Sequence, residues 1–175
     1  MRWSELSWWS WLRICYLFAV PAMAGPQSVL ESTEQRVALL ELFTSEGCSS
    51  CPPAEAWLRT LKEKPGLWKE FVPIAFHVDY WNYLGWKDPF SSADYTRRQR
   101  EYAARWNASA IYTPGFVLNG KEWTPKGAIA SSSGETPGKL RLTVKPGGQA
   151  DILFVPTDKR PGPLVVEVAP LAQQI

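Results

Sequence analysis

Two cysteines two residues apart, Cys48 and Cys51 in the stretch SEGCSSCPPAE, are the residues of this chain best suited to chemistry. Thiols at that spacing serve three ends: they close a small loop, hold a soft metal ion, or exchange electrons with another disulfide. As a staple, so short a loop yields only about 2 kcal/mol, and it ties residues that the neighbouring elements already hold close. As a metal site the pair is short of ligands, because structural zinc takes four. His77, the one histidine, would add a third, and two thiolates alone suit Cu(I). No histidine stands directly after Cys51, as the covalent haem attachment signal requires. Exchange needs a thiolate near a helix N-terminus with a second thiol one turn on, and of the three readings it fits these residues best. Ser49 and Ser50 keep the connection small and can donate hydrogen bonds to sulfur. Pro52 and Pro53 suit a first helical turn, so Cys48 falls just ahead of the helix and only modest help from its N-terminus is expected.

The elements that must position this pair can be read on either side of it. Val37 to Thr44, VALLELFT, is a short apolar run bounded by turn residues, the pattern of a buried strand. Ala54, Trp57, Leu58 and Leu61 recur at helical spacing, and the helix stops at Lys64-Pro65-Gly66. FVPIAFHVDY (71–80) is a second strand, with Ile74, Phe76, Val78 and Tyr80 on one face and Ala75, His77 and Asp79 on the other. The aromatic loop WNYLGWKDPF follows, then a helix from about Ser92. Its stripe is Tyr95, Gln99, Tyr102, Ala103 and Trp106, with Arg97, Arg98, Glu101 and Arg105 expected on a solvated face. YTPGFVLNGKEW reads as a strand, an Asn119-Gly120 turn and a returning strand. Alternating strands and helices imply parallel pairing by right-handed crossovers, with the last hairpin antiparallel.

The ends of the chain carry different signals. Arg2 and Arg13 precede the apolar run 14–24, which closes in Ala22-Met23-Ala24, so residues 1–24 are expected to be a signal peptide. The alternative is an uncleaved interfacial anchor built on Trp8, Trp9 and Trp11. Cleavage would remove Cys15, the third cysteine of the chain, and leave a single close pair rather than a disulfide framework. In an exported, oxidising compartment, periplasmic or secreted, that pair can be a disulfide. Taking Arg2, Arg13 and Glu5 from the 19 basic and 17 acidic side chains leaves a nearly neutral remainder. Neither nucleic acid nor an anionic membrane surface is an expected partner, and no stable membrane span is expected after cleavage.

The expected layout is a domain over 25–130, a polar linker over 131–138 and a β-rich segment over 139–175. That last segment has strand candidates at KLRLTVK, QADILFVP and PLVVEVA. The chain stops soon after the third, so this appendage is expected to be incomplete.

These motifs carry a resemblance. ELFTSEGCSSCPP, followed some sixty residues later by YTPGFVLNG, resembles the thioredoxin superfamily. LFTSEGCSSCPPAE, AFHVDYWNYLGWKDPFSS, RQREYA and YTPGFVLNG, in that order from about Val37 to Trp123, look more closely like the secreted thioredoxin-like family called domain of unknown function 1223. The resemblance implies an α/β, thioredoxin-like fold with a β-strand-rich C-terminal appendage. It implies Cys48 as attacking thiol, Cys51 as resolving thiol, and Pro114, after Thr113, as a cis-proline beside them. Thioredoxins also carry a buried acid on the first of these strands that helps move the resolving thiol's proton. Glu41 is the candidate here, although its spacing is one residue longer; pairing with a cation is the alternative.

With both strands parallel, the aromatic loop leaves from the sheet edge that bears Cys48, the edge at which open α/β sheets bind ligands. Tyr80, Trp81 and Trp86 are therefore candidate substrate-binding residues, unless they merely close the core. His77 and Asp79 share a strand face and are a candidate hydrogen-bonded pair. The expected function is exported thiol–disulfide oxidoreduction with a protein or small-molecule thiol or disulfide. No flavin, nicotinamide or phosphate-binding motif is visible, so the cofactor is the redox-active disulfide itself and a partner protein must supply or accept electrons. The alternatives are a copper or zinc binding protein and a non-catalytic binding module.

Overall fold

A computed structural model describes residues 28–125, 129 and 134–157. The expected signal peptide, residues 131–133 of the linker and the strand expected at PLVVEVA lie outside the described residues. Within them the chain is a mixed α/β structure of two sheets and two α-helices, with strands in the majority.

The sheet next to the cysteines has the order β3-β2-β4-β5. Its central strand, β2 (Ala38–Thr44), runs parallel to β3 (Phe71–His77) and antiparallel to β4 (Gly115–Leu118), which turns back as β5 (Lys121–Trp123). Strand alternation sends successive side chains of β2 to opposite faces. Ala38, Leu40 and Leu42 pack with Ala54, Trp57 and Leu58 of helix α1 (Pro52–Thr60). Phe43 and Val117 pack with Tyr102 of helix α2 (Ala93–Trp106) on the other face. Each helix is thus amphipathic for a physical reason, one apolar stripe against one face of one sheet.

Local signals end these elements. Pro52 and Pro53 occupy the first turn of α1, where the missing N–H costs nothing. Ser92 caps α2 by accepting from the N–H of Asp94 at 3.2 Å, and Asn107 closes it in the left-handed conformation with φ 55°. Asn119 and Gly120, φ 52° and 79°, make the tight turn of the β4–β5 hairpin.

Three features depart from the sequence reading. β3 ends at His77 and not at Tyr80, because Asp79 turns away to α2, where its N–H and carboxylate both bond the Thr96 hydroxyl. Arg98 is largely turned away from solvent; it reaches from α2 to Glu41 on the facing side of the sheet. A short N-terminal strand, β1 (Ser28–Glu31), pairs with β6 (Gly138–Val144), and β6 pairs with β7 (Ala150–Pro156), in a second, fully antiparallel sheet of order β1-β6-β7.

Candidate functional site

The turn from β2 into α1 carries the pair. After Thr44 the chain folds tightly, with the Cys48 N–H bonded to the Ser45 carbonyl and the Cys51 N–H to the Cys48 carbonyl. The two cysteines are joined as a disulfide with 5.4 Å between their Cα atoms. Both are buried, Cys48 at 3% exposure and Cys51 at 0%. Ser49 and Ser50 face outward. The Ser50 hydroxyl lies 3.5 Å from the Cys48 sulfur and 3.5 Å from the Thr113 carbonyl. Pro114 follows directly, and the Thr113–Pro114 peptide bond is cis.

The aromatic loop meets this turn at three points. Trp81 donates its indole N–H to the Thr113 hydroxyl at 2.7 Å, and its Cβ sits 3.0 Å from where a side chain would begin at Gly47. A side chain at Gly47 would therefore need Trp81 to yield slightly. Trp86, largely exposed, donates its indole N–H to the Glu46 carboxylate at 2.7 Å. Asp88, 1% exposed, accepts from the backbone N–H of Glu46 at 2.9 Å. On the α2 side, Gln99 accepts from the Tyr80 hydroxyl and donates to the Tyr112 carbonyl, so one side chain braces both segments beside the pair. Of the three aromatics proposed to line a site, Tyr80 and Trp81 pack on the Phe43 cluster and Trp86 stays outside with Tyr83, Leu84 and Phe90.

His77 partners Asp88, not Asp79. Its Nδ1 lies 2.7 Å from the Asp88 carboxylate, because Asp79 has left the strand for Thr96 while the aromatic loop returns under His77. Burial alone would push the Asp88 carboxyl up, but the Glu46 N–H, His77 and the Phe90 N–H outweigh it and hold it below the usual range. A depressed carboxylate stabilises the fold fully above its unfolded pKa, near 4, and that stability is lost as pH falls through the folded value. Asp88→Asn is therefore expected to lose stability at neutral pH and to show a flatter acid limb. Urea midpoints from pH 3 to 7 test this; an acid limb as steep as that of the unaltered protein would reject it.

Glu41 is fully buried yet paired. Its carboxylate accepts from Arg98 Nε at 2.6 Å and from the Tyr102 hydroxyl at 2.7 Å. Burial, then the bond to Glu41, pushes the Tyr102 phenol up to about 12. Glu41 points to the α2 face of the sheet, whereas Cys51 opens α1 on the opposite face. The carboxylate that folds beneath α1 is Glu55, which accepts from the buried Thr44 hydroxyl at 2.6 Å. The sequence reading missed Glu55, although its position four residues after Cys51 marks a shared helix face. Among the described residues, no three His, Cys, Asp or Glu side chains come together as metal ligands. Nor is any helix among them long and apolar enough to cross a membrane.

The sequence profile described as "Protein of unknown function (DUF1223)" matches residues 39–149. No curated protein matches the chain. A crystal structure of a protein from Agrobacterium tumefaciens, solved in a structural genomics programme, is similar at 41% identity and a TM-score of 0.46. The likeness covers 54% of this chain and 40% of that one, so the chain spans less than half the length of that neighbour.

Proposed function

The chain belongs to the DUF1223 family, and from that premise we propose that it is an exported thiol–disulfide exchange protein of thioredoxin-like fold. The observation that carries this reading is the Cys48–Cys51 disulfide at the junction of a central strand and a helix N-terminus. A dithiol at such a junction lies at the positive end of the helix dipole, which favours the thiolate, although Pro52 and Pro53 bring no N–H to the first turn. The order β3-β2-β4-β5 with a helix on each face, and Pro114 immediately before β4, supports the fold assignment.

In the proposed cycle the Cys48 thiolate attacks one sulfur of a substrate disulfide. A Cys48–substrate bond forms, the substrate S–S bond breaks, and one substrate thiolate leaves. The Cys51 thiolate then attacks the Cys48 sulfur, restoring the internal disulfide and releasing the second substrate thiolate. The protein dithiol is oxidised by two electrons and the substrate disulfide reduced by two. A partner dithiol returns the electrons, and the same steps run backwards make the protein an oxidant. Ser50 is placed to donate to the Cys48 sulfur when it carries charge. The leader-like sequence of residues 1–24 supports an oxidising, exported location, where a pair of this kind persists as a disulfide. The exposed side chains of Trp86, Leu84 and Phe90 suit a substrate with an apolar flank.

Equilibration in glutathione and dithiothreitol buffers, with thiols counted by mass after alkylation, tests the reading. The expected result is a reversible two-electron transition at a potential between about −270 and −120 mV. Thiols that never pair, or a disulfide that opens only on unfolding, would overturn it.

A further inference from the structure

Resolution of a mixed disulfide requires a thiolate at Cys51, and Cys51 is wholly shielded from solvent. With the Cys51 sulfur buried in the disulfide form, a group of the protein beside it is best placed to take its proton. Cys51 has helical backbone angles, and its carbonyl accepts from the Glu55 N–H at 3.1 Å. Residues four apart on a helix lie one above the other on the same face, with Cβ atoms about 5–6 Å apart. The Glu55 side chain does not extend into solvent. One carboxylate oxygen, Oε1, accepts from the hydroxyl of Thr44, which is fully buried at the end of β2. That bond folds the carboxylate back over the turn that carries the pair. Glu41 is on the other face of the sheet, held by Arg98 and Tyr102.

We infer that Glu55, positioned by Thr44, is the proton acceptor for the Cys51 thiol. The inference rests on the exchange reading above and adds to it the group that makes its second step go. In that step the Cys51 S–H proton passes to Glu55 as the sulfur attacks Cys48. The Cys51–Cys48 bond forms, the bond from Cys48 to the substrate sulfur breaks, and the substrate leaves as a thiolate. In the reverse direction the Glu55 carboxyl returns its proton to Cys51 as the internal disulfide opens. The Thr44 hydroxyl serves both states, since Oε1 remains an acceptor whether or not the carboxylate is protonated.

The test is Glu55→Gln, which keeps an oxygen for the Thr44 hydroxyl and so preserves the local bonding, but cannot take the proton. Reduced protein is mixed with oxidised glutathione and quenched with acid, and the species are resolved by mass. The Glu55→Gln protein is expected to form the Cys48–glutathione adduct at the unaltered rate and to resolve it about 100-fold more slowly, the lower end of general-base effects. Thr44→Val, which leaves the carboxylate in place but unanchored, is expected to slow only the same step, and by less. A group that merely held the fold would change both steps or neither. Resolution by Glu55→Gln at the unaltered rate overturns the inference while leaving exchange intact. Failure of a Cys51→Ser protein to form any adduct overturns the exchange reading, and the inference with it.

Discussion

Arg98→Ala is expected to cost about 3 kcal/mol of stability, the lower end of the range for breaking a buried ion pair. The deletion leaves the Glu41 carboxylate inside the sheet, fully shielded, with the Tyr102 hydroxyl among its remaining donors. Arg98 itself is one-quarter exposed, so some water can follow into the space and the upper end of the range is not expected. Its guanidinium also lies 5.3 Å from the Phe76 ring centre and 5.4 Å from that of Tyr102, contacts that the truncation removes as well. A loss of this size is a large fraction of the roughly 5–15 kcal/mol that holds a domain. Urea denaturation of the two proteins side by side measures it. The double change Glu41→Met with Arg98→Met is the informative control, because apolar replacement of both partners removes the uncompensated charge and is expected to recover most of the loss. A single variant within about 1 kcal/mol of the unaltered protein would mean that the pair behaves like an exposed one.

What the sequence made legible were the features written in adjacent residues. The cysteine spacing, the proline start of α1, the start of α2 near Ser92 and the Asn-Gly turn each depend on a few neighbouring side chains, and each is where the pattern put it. The contacts that define the site are written at longer range. Glu41 meets Arg98 across 57 residues, and His77 meets Asp88 across 11. An arginine on the polar side of a helical stripe carries no mark that it will turn to a buried acid on a neighbouring strand. His77 and Asp79 alternate correctly as strand residues, but alternation cannot report that the strand ends between them. β1 was invisible for the opposite reason: four residues hold too little periodicity, and its partner lies 110 residues away at Glu31–Arg141.

The aromatic loop unites several of these long-range contacts. Asp88 holds the backbone of Glu46, Trp86 holds its side chain, and Trp81 lies against Gly47 while bonded to Thr113. The segment that carries Cys48 is therefore bracketed by one loop on one side and by the chain leading to Pro114 on the other. Cys48, unlike its neighbours Ser49 and Ser50, is almost wholly covered in the disulfide form. A substrate sulfur reaches it only when the turn opens, and neither the Ser50 contact nor the nearby Trp81–Thr113 bond is anchored in a strand ladder. Local opening of such loop contacts lies at the low end of the range of opening free energies in folded proteins, so access to sulfur is compatible with a fully folded sheet.

The two cysteines should then behave unequally, and Cys51→Ser is expected to stop turnover while trapping its intermediate. With Cys48 the sole remaining thiol of the pair, attack on oxidised glutathione gives an adduct that no residue can resolve. Intact mass should rise by one glutathione per chain, and regeneration of the internal disulfide should be lost completely. Cys48→Ser is expected to lose turnover as well but to gain little adduct, because Cys51 is fully buried at the start of α1, away from the Ser50 and Thr113 contacts that open around Cys48. The difference between the two serine variants separates attack from resolution, which loss of activity alone does not. Adduct on Cys51 in the Cys48→Ser protein, with none on Cys48 in the Cys51→Ser protein, would exchange the two roles. No adduct on either would reduce the pair to a structural disulfide, because a thiol that cannot capture a small, mobile disulfide has no route to a larger one.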